Sequence, residues 1–394
     1  LLVIGIIVNA CLGTVYSWSV FREPLEQALG ITASESGLPY SVFLAAFAFS
    51  MPVAGTLMDR LGTRLTLLIG GVLVGSGWIS AGLITGFVPL VFAYGIVGGI
   101  GVGLAYGVPI AVAGSWFPDR RGFAMGLALA GFGVSPFVTA PLAEVLIVRF
   151  GVQTAMIQLG VLFIIVITTL SPFLQRRADH AHAAARGGGM PPRQMMGSKS
   201  FYGLWICYVI GTLAGLTAIG MTAPFGRQVA GLSVPAATAA VAAFGVLNGL
   251  GRPLFGSIHD TLGSRRSVIL SFGLIAVGAG VSLFAQPGVV LPFFIGFGIL
   301  WLMLGGWLAI APAATTHLFG VSHYARNYGI MYTAYGVGAL AGGSASGALY
   351  SSFETYKSMP VFILVLCGVG VVVALLMLEP ARLSVRREHA HARG

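Results

Sequence analysis

Residues 248–266 read NGLGRPLFGSIHDTLGSRR, and this stretch decides the class of the whole chain. It closes an apolar segment that begins near Pro235 and carries Arg252 inside that segment. About twenty apolar residues span a bilayer as a helix, so Arg252 is placed within the membrane. A charge at that depth costs roughly 2.5–3.5 kcal/mol on insertion scales, and such residues face a water-filled path or a partner. The segment then ends in Gly256-x-x-x-Asp260-x-x-Gly263-x-Arg265-Arg266. The same pattern stands 201 residues earlier as Gly55-x-x-x-Asp59-Arg60-x-Gly62-x-Arg64. One stretch therefore holds both a candidate anion site and the mark of a duplicated membrane protein.

Composition agrees. Of 394 residues, 57% are hydrophobic and 8% charged, with a mean hydropathy of +0.92. A soluble domain carries about a quarter charged residues, so the chain belongs to the bilayer. Its net charge of +10 does not point to nucleic acid, because the charges sit in the short gaps between apolar segments. Cys11, Cys207 and Cys367 lie within apolar segments, lack disulfide or metal spacing, and read as small apolar packers. The chain opens on Leu1 rather than methionine, so some N-terminus is expected to be missing, and no signal peptide is recognisable.

Outward from the opening stretch, twelve apolar segments follow one another: 1–20, 36–58, 65–84, 89–115, 122–148, 153–174, 200–220, 235–258, 267–285, 290–316, 328–350 and 359–378. The expected fold is all-α and integral to the membrane, twelve helices in two six-helix halves, 1–174 and 200–378. A connection at 175–199, rich in Arg, His, Ala and Gly, reads as a cytoplasmic linker, and 379–394 as a cytoplasmic tail. With the N-terminus inside, Arg22, Arg149, Arg227 and Lys357 fall outside, Arg252 falls in the membrane, and the other sixteen of twenty-one basic residues fall inside. The glycines of the fourth segment read as helix packing rather than a nucleotide loop, which needs a preceding strand. Glu144 in the fifth segment is expected to pair with Arg149 at the outer edge. His259 reads as a membrane-edge loop residue, and His317 and His323 as loop residues between the tenth and eleventh segments.

Repeated halves place a substrate site near the midplane at their interface. Asn248 and Arg252 are four apart and share a helix face. On the eleventh segment Tyr328, Tyr332 and Tyr335 stand at i, i+4 and i+7, at a depth matching that of Arg252, and Tyr106 of the fourth segment matches them from the other half. A carboxylate held by Arg252, with Asn248 and tyrosine hydroxyls completing its bonds, fits this set. Leu12, Leu129 and Phe132 are candidates for an apolar wall. The bland alternative makes Arg252 a structural residue paired with helix carbonyls.

The doubled Gly-x-x-x-Asp-x-x-Gly-x-Arg loop resembles the signature of the major facilitator superfamily. Trp116-Phe117-Pro118-Asp119-Arg120-Arg121, followed by Ala124-x-Gly126-x-x-x-x-Gly131, looks like the fifth-helix signature of monocarboxylate transporters. Asn248-x-x-x-Arg252-Pro253 resembles their eighth helix, where an acid normally precedes the arginine by one turn. Ala325-Arg326-Asn327-Tyr328-Gly329 resembles the bacterial oxalate/formate antiporter branch, in which a helix 11 lysine pairs with the helix 8 arginine; counted from Tyr328-Gly329, that position is Tyr335. The resemblance implies a cytoplasmic gate built from Asp59, Arg60, Arg64, Arg120, Arg121, Asp260 and Arg265. It also implies alternating access, with no cofactor and no metal. The animal members' opening Asp-Gly-Gly motif and first-segment lysine have no counterpart, and their helix 8 acid is Asn248. The expected cargo is a small monocarboxylate such as lactate or pyruvate, with a proton, carried by a monomer. Oxalate/formate-type exchange is the same-class alternative, and a non-transporting sensor of organic acids the different-class one. No enzyme motif appears in the membrane segments.

Overall fold

The computed structural model describes residues 1–117, 121–175, 189–320 and 323–378, and almost all of these are helical. Among them ten helices are long and apolar enough to cross a membrane: α1 (Leu2–Leu29), α2 (Ala33–Met58), α3 (Arg60–Leu83), α4 (Phe87–Ala113), α5 (Ala124–Phe150), α6 (Val152–Phe173), α7 (Lys199–Gln228), the 49-residue run Val234–Ser282, α10 (Leu291–Phe319) and α12 (Ser358–Met377). The 49-residue run breaks at Gly263, and so is two passes, α8 before that glycine and α9 after it. One further helix, α11 (Tyr324–Phe353), is 30 residues long; its tyrosines, serines and glycines lower its hydropathy without shortening it. The sum is twelve passes.

The duplication read in the sequence is present in the backbone. Gly62 has φ +78° and Gly263 φ +73°, the left-handed region in which any other residue is strained by roughly 1–2 kcal/mol. Thr66 Oγ1 donates to the Gly62 carbonyl at 2.8 Å, and Ser267 Oγ to the Gly263 carbonyl at 2.8 Å. The repeat extends to the caps. Thr32 caps α2 in a full capping box with Glu35, and Ser233, again 201 residues on, caps α8 through the Ala236 N–H at 3.4 Å. These side chains satisfy donors that a helix start otherwise leaves unpaired.

Small residues set the helix spacing. A methyl at Gly101 would stand 2.5 Å from the Val74 nitrogen, and one at Gly305 would overlap the Asn248 carbonyl, so α4 meets α3, and α10 meets α8, backbone to backbone. The main seams between the first six helices and the last six are α5 with α8, α2 with α11, and α1 with α7. The candidate site lies along these seams.

Several local readings change. The first segment, read as 1–20, runs as helix to Leu29, which carries Arg22 into the wall of the bundle, where it is buried. Glu144 and Arg149 make no ion pair among the described residues; Arg149 points into the exposed last turn of its helix. His317 lies inside α10 rather than in a loop. His259 is a buried helix residue whose Nε2 is 3.0 Å from Ser264 Oγ, which in turn is 3.2 Å from His317 Nδ1. At the end of the expected linker, Pro192–Met196 forms a short helix. There the Met190 N–H donates to the Phe319 carbonyl at 2.7 Å. Residues 176–188 of that linker, and the expected tail at 379–394, lie outside the described residues.

Candidate functional site

α8 brings Arg252 to the seam with α5. The residue is 4% exposed, and its Nη1 donates to the Leu129 carbonyl of α5 at 2.6 Å. That bond is the feature a purely structural arginine would show. It uses only one of the three nitrogens, however. Nε and Nη2 are buried and make no hydrogen bond of ordinary geometry among the described residues. These two form one edge of the guanidinium, the edge whose parallel N–H groups match the two oxygens of a carboxylate. A buried donor left without a partner costs about 1–3 kcal/mol, so the fold carries a standing cost at this edge. No described carboxylate pairs with it.

Around this edge stands an aromatic cage drawn from both groups of helices. The Tyr106 hydroxyl of α4 lies beside the guanidinium and near Tyr332. On α11, Tyr332 stacks on Tyr335 with ring centroids 5.0 Å apart and planes at 18°, and Tyr328 meets Tyr332 edge-on at 5.6 Å. The i, i+4, i+7 spacing is thus one continuous tyrosine face. Phe132 packs edge-on against Tyr106 at 5.1 Å and against Tyr16 at 5.0 Å. Phe47 of α2 touches Tyr106, Phe132, Tyr332 and Tyr335. The Tyr16 and Tyr335 hydroxyls lie 2.9 Å apart and join α1 to α11. Tyr16, Phe132, Tyr332 and Tyr335 are all buried.

Asn248 is fully buried one turn from Arg252. Its Nδ2 donates to the Trp301 carbonyl at 3.0 Å, and its Oδ1 has no partner among the described residues. Trp301 in turn donates from Nε1 to Thr222 at 2.9 Å. Leu129 enters the site through its main-chain carbonyl, and Leu12 is buried immediately before the tight 3₁₀ turn Gly13–Ser17 that delivers Tyr16. The structure thus brings together Arg252, Asn248, Tyr106, Tyr332, Tyr335, Leu129 and Phe132. Sequence reading passed over Tyr16, Phe47 and Trp301 as members of the same cluster; Tyr16 alone left a signal, as one of the few polar residues in the first segment.

The expected gate residues are described in part. Arg60 and Arg64 are exposed and Arg265 half-buried. Asp260 is 82% exposed, and His259 Nδ1, 3.9 Å away, is its nearest basic group among the described residues. Arg120 and the side chains of Asp59 and Arg121 lie outside the described residues.

The arrangement sets one buried cation among tyrosine and phenylalanine rings where helices of the first and second groups meet. Known proteins resemble the chain over most of its length. The sequence profile of the Major Facilitator Superfamily matches residues 2–312 and 231–393. The oxalate:formate antiporter of Oxalobacter formigenes is 28% identical over 346 residues, spanning 86% of this chain and 82% of that protein. Monocarboxylate transporter 13 of Rattus norvegicus is 27% identical over 377 residues, spanning 92% and 85%. Among solved structures, a bacterial homologue of the human lysosomal transporter Spinster, in its inward-facing and occupied conformation, superposes with a TM-score of 0.73 at 15% identity. It covers 95% of this chain and 96% of its own.

Proposed function

Because this chain belongs to the major facilitator superfamily, we propose that it carries small monocarboxylates of the lactate and pyruvate type, by rocking two six-helix halves, 1–174 and 200–378, about Arg252. The observation that carries this reading is the Nε/Nη2 edge of a buried arginine at the seam, which makes no hydrogen bond of ordinary geometry among the described residues and has the Tyr106 hydroxyl beside it. A carboxylate satisfies both donors at once and lets Tyr106 donate to it. One cation suits a monoanion, because a second buried charge without a partner costs several kcal/mol. Tyr335, standing where the oxalate branch would be expected to carry a lysine, keeps the count at one.

Likeness to the oxalate:formate antiporter supports a second reading, exchange of small organic anions. Both readings use Arg252 in the same way and differ in cargo charge and in coupling. No described carboxylate lies at Arg252, so proton coupling falls to the substrate's own carboxyl group or to a peripheral residue. The distribution of basic residues supports cytoplasmic termini, in a protein of the cell membrane. Asp59, Arg60, Arg64, Arg120, Arg121, Asp260 and Arg265 form the cytoplasmic latch in this scheme, and the protein works as a monomer.

Uptake of labelled lactate, pyruvate, formate and oxalate into proteoliposomes tests the proposal. Run with and without an imposed pH gradient and with a trapped counter-anion, it separates symport from exchange. Accumulation of none of the four would refute the transport reading and leave the sensor.

A further inference from the structure

We propose that Arg22 is a second carboxylate-binding residue, an outer station through which the cargo passes on its way to Arg252. The inference rests on the reading above that the cargo is a carboxylate anion. Arg22 is six residues outward of Tyr16 on α1, about 9 Å along the helix axis, and it is 5% exposed. Its Nε donates to Ser36 Oγ at 3.0 Å and its Nη2 to the Ala33 carbonyl, both at the start of α2. Its Nη1 reaches across the seam to the Gly220 carbonyl of α7 at 3.1 Å. Nearby, Glu23 pairs with Arg227 and the Tyr40 hydroxyl donates to the Leu216 carbonyl at 3.2 Å. These bonds close the outer end.

A closure alone accounts for the Arg22–Gly220 bond. It does not account for what surrounds it. Arg22 lines a cavity between α1, α2, α7 and α11 whose wall includes Trp18, Thr217, Ser346 and Tyr356 and contains no carboxylate. Thr217 Oγ1 is buried there with no hydrogen-bond partner among the described residues. The Tyr356 hydroxyl lies beside the Arg22 guanidinium. The nearest acids stay out of the cavity wall: Glu23 pairs with Arg227, and Glu26 accepts from the same Ser36 hydroxyl that Arg22 Nε donates to. One cation and two hydroxyl donors around an acid-free space are a carboxylate's partners. When the outer ends part, Gly220 leaves with α7, and Nη1 is freed facing this cavity. The incoming carboxylate takes the place of the Gly220 carbonyl, and Thr217 gains its missing partner. As the ends close again the carbonyl displaces the anion inward, toward Tyr16, Tyr335 and Arg252.

The test removes the central site and asks whether the outer one remains. Ser346→Cys places a single thiol on the cavity wall, in a background where Cys11, Cys207 and Cys367 are replaced by alanine. The thiol is labelled from outside with a membrane-impermeant reagent, with Arg252→Gln disabling the inner site; Arg252→Lys serves if the glutamine variant does not fold. Lactate is expected to slow labelling in a saturable way, to about one third of its rate at twice the half-saturating concentration. Arg22→Gln is expected to abolish that protection. If native protein transports lactate but lactate leaves the labelling rate unchanged, Arg22 is a gate and the inference fails alone. A gate-only role also predicts faster labelling in Arg22→Gln with no lactate effect in either background. If lactate and formate are neither transported by the native protein nor protective, the carboxylate reading itself has failed.

Discussion

Arg252→Gln separates a ligand-binding arginine from a structural one. In the native site the Nε/Nη2 edge is buried and makes no hydrogen bond of ordinary geometry among the described residues, while Nη1 holds the Leu129 carbonyl at 2.6 Å. A bound carboxylate gains two hydrogen bonds to a charged group, each about 1.5–3 kcal/mol. Their loss therefore amounts to roughly 3–6 kcal/mol, a fall in affinity of about two to four powers of ten at 1.4 kcal/mol per tenfold. Stability should move the other way. Glutamine's amide can still reach toward Leu129, the buried charge disappears, and two unsatisfied donors go with it, each worth about 1–3 kcal/mol. The variant is expected to insert, to purify as a single species and to unfold at or above the native temperature. Arg252→Lys retains the charge but loses the planar edge, and should recover little uptake. Lactate binding and thermal unfolding measured on the same preparations check both arms. A glutamine variant that binds lactate within tenfold of the native protein, or one that is markedly destabilised, would show that the Leu129 bond is the residue's purpose.

Four further outcomes follow from particular contacts. Tyr335→Lys adds a second cation beside Tyr16, and should lower lactate uptake while admitting oxalate; unchanged preference in a competition assay would discount the charge argument. Gly263→Ala forces a side chain into φ +73° and should lower stability by about 1–2 kcal/mol, read as a drop in unfolding temperature, with Gly62→Ala behaving alike. Asn248→Asp restores an acid one turn from Arg252, and should make uptake pH-dependent or change its existing dependence; identical pH profiles would contradict this. Arg227→Ala removes the Glu23 pair and should raise labelling of outer-cavity cysteines, a change that a mere surface contact would not produce.

Much of the architecture is written in linear pattern because it depends on linear features. Gly62 and Gly263 sit 201 residues apart in matching turns, and both adopt the left-handed backbone that motivates a glycine. Arg252 is visible because a charge in an apolar run is conspicuous, and Tyr332 and Tyr335 because helical spacing aligns them. Tyr16 is not, since its place depends on the 3₁₀ turn at Gly13–Ser17 and on which helices that turn faces. Leu129 contributes a carbonyl, and main-chain groups leave no trace in side-chain pattern. Arg22 reads as an outside charge because the first apolar run closes near residue 20, whereas α1 continues to Leu29 and buries it. Asp260 is a different case: its motif implies a latch, and its side chain is 82% exposed, with His259 Nδ1 at 3.9 Å among the described residues. A latch is a property of one conformation, and sequence does not say which conformation is populated.

The central claim is that one buried guanidinium, Arg252, selects a small monoanion. The measurement that meets it most directly is equilibrium binding of labelled lactate to the purified protein, competed with pyruvate, formate and oxalate at a pH where oxalate carries two charges. Pyruvate and formate should displace lactate, and oxalate should compete more weakly than lactate itself. Oxalate displacing lactate at lower concentration than lactate does would contradict the single-cation site, and with it the assignment of cargo.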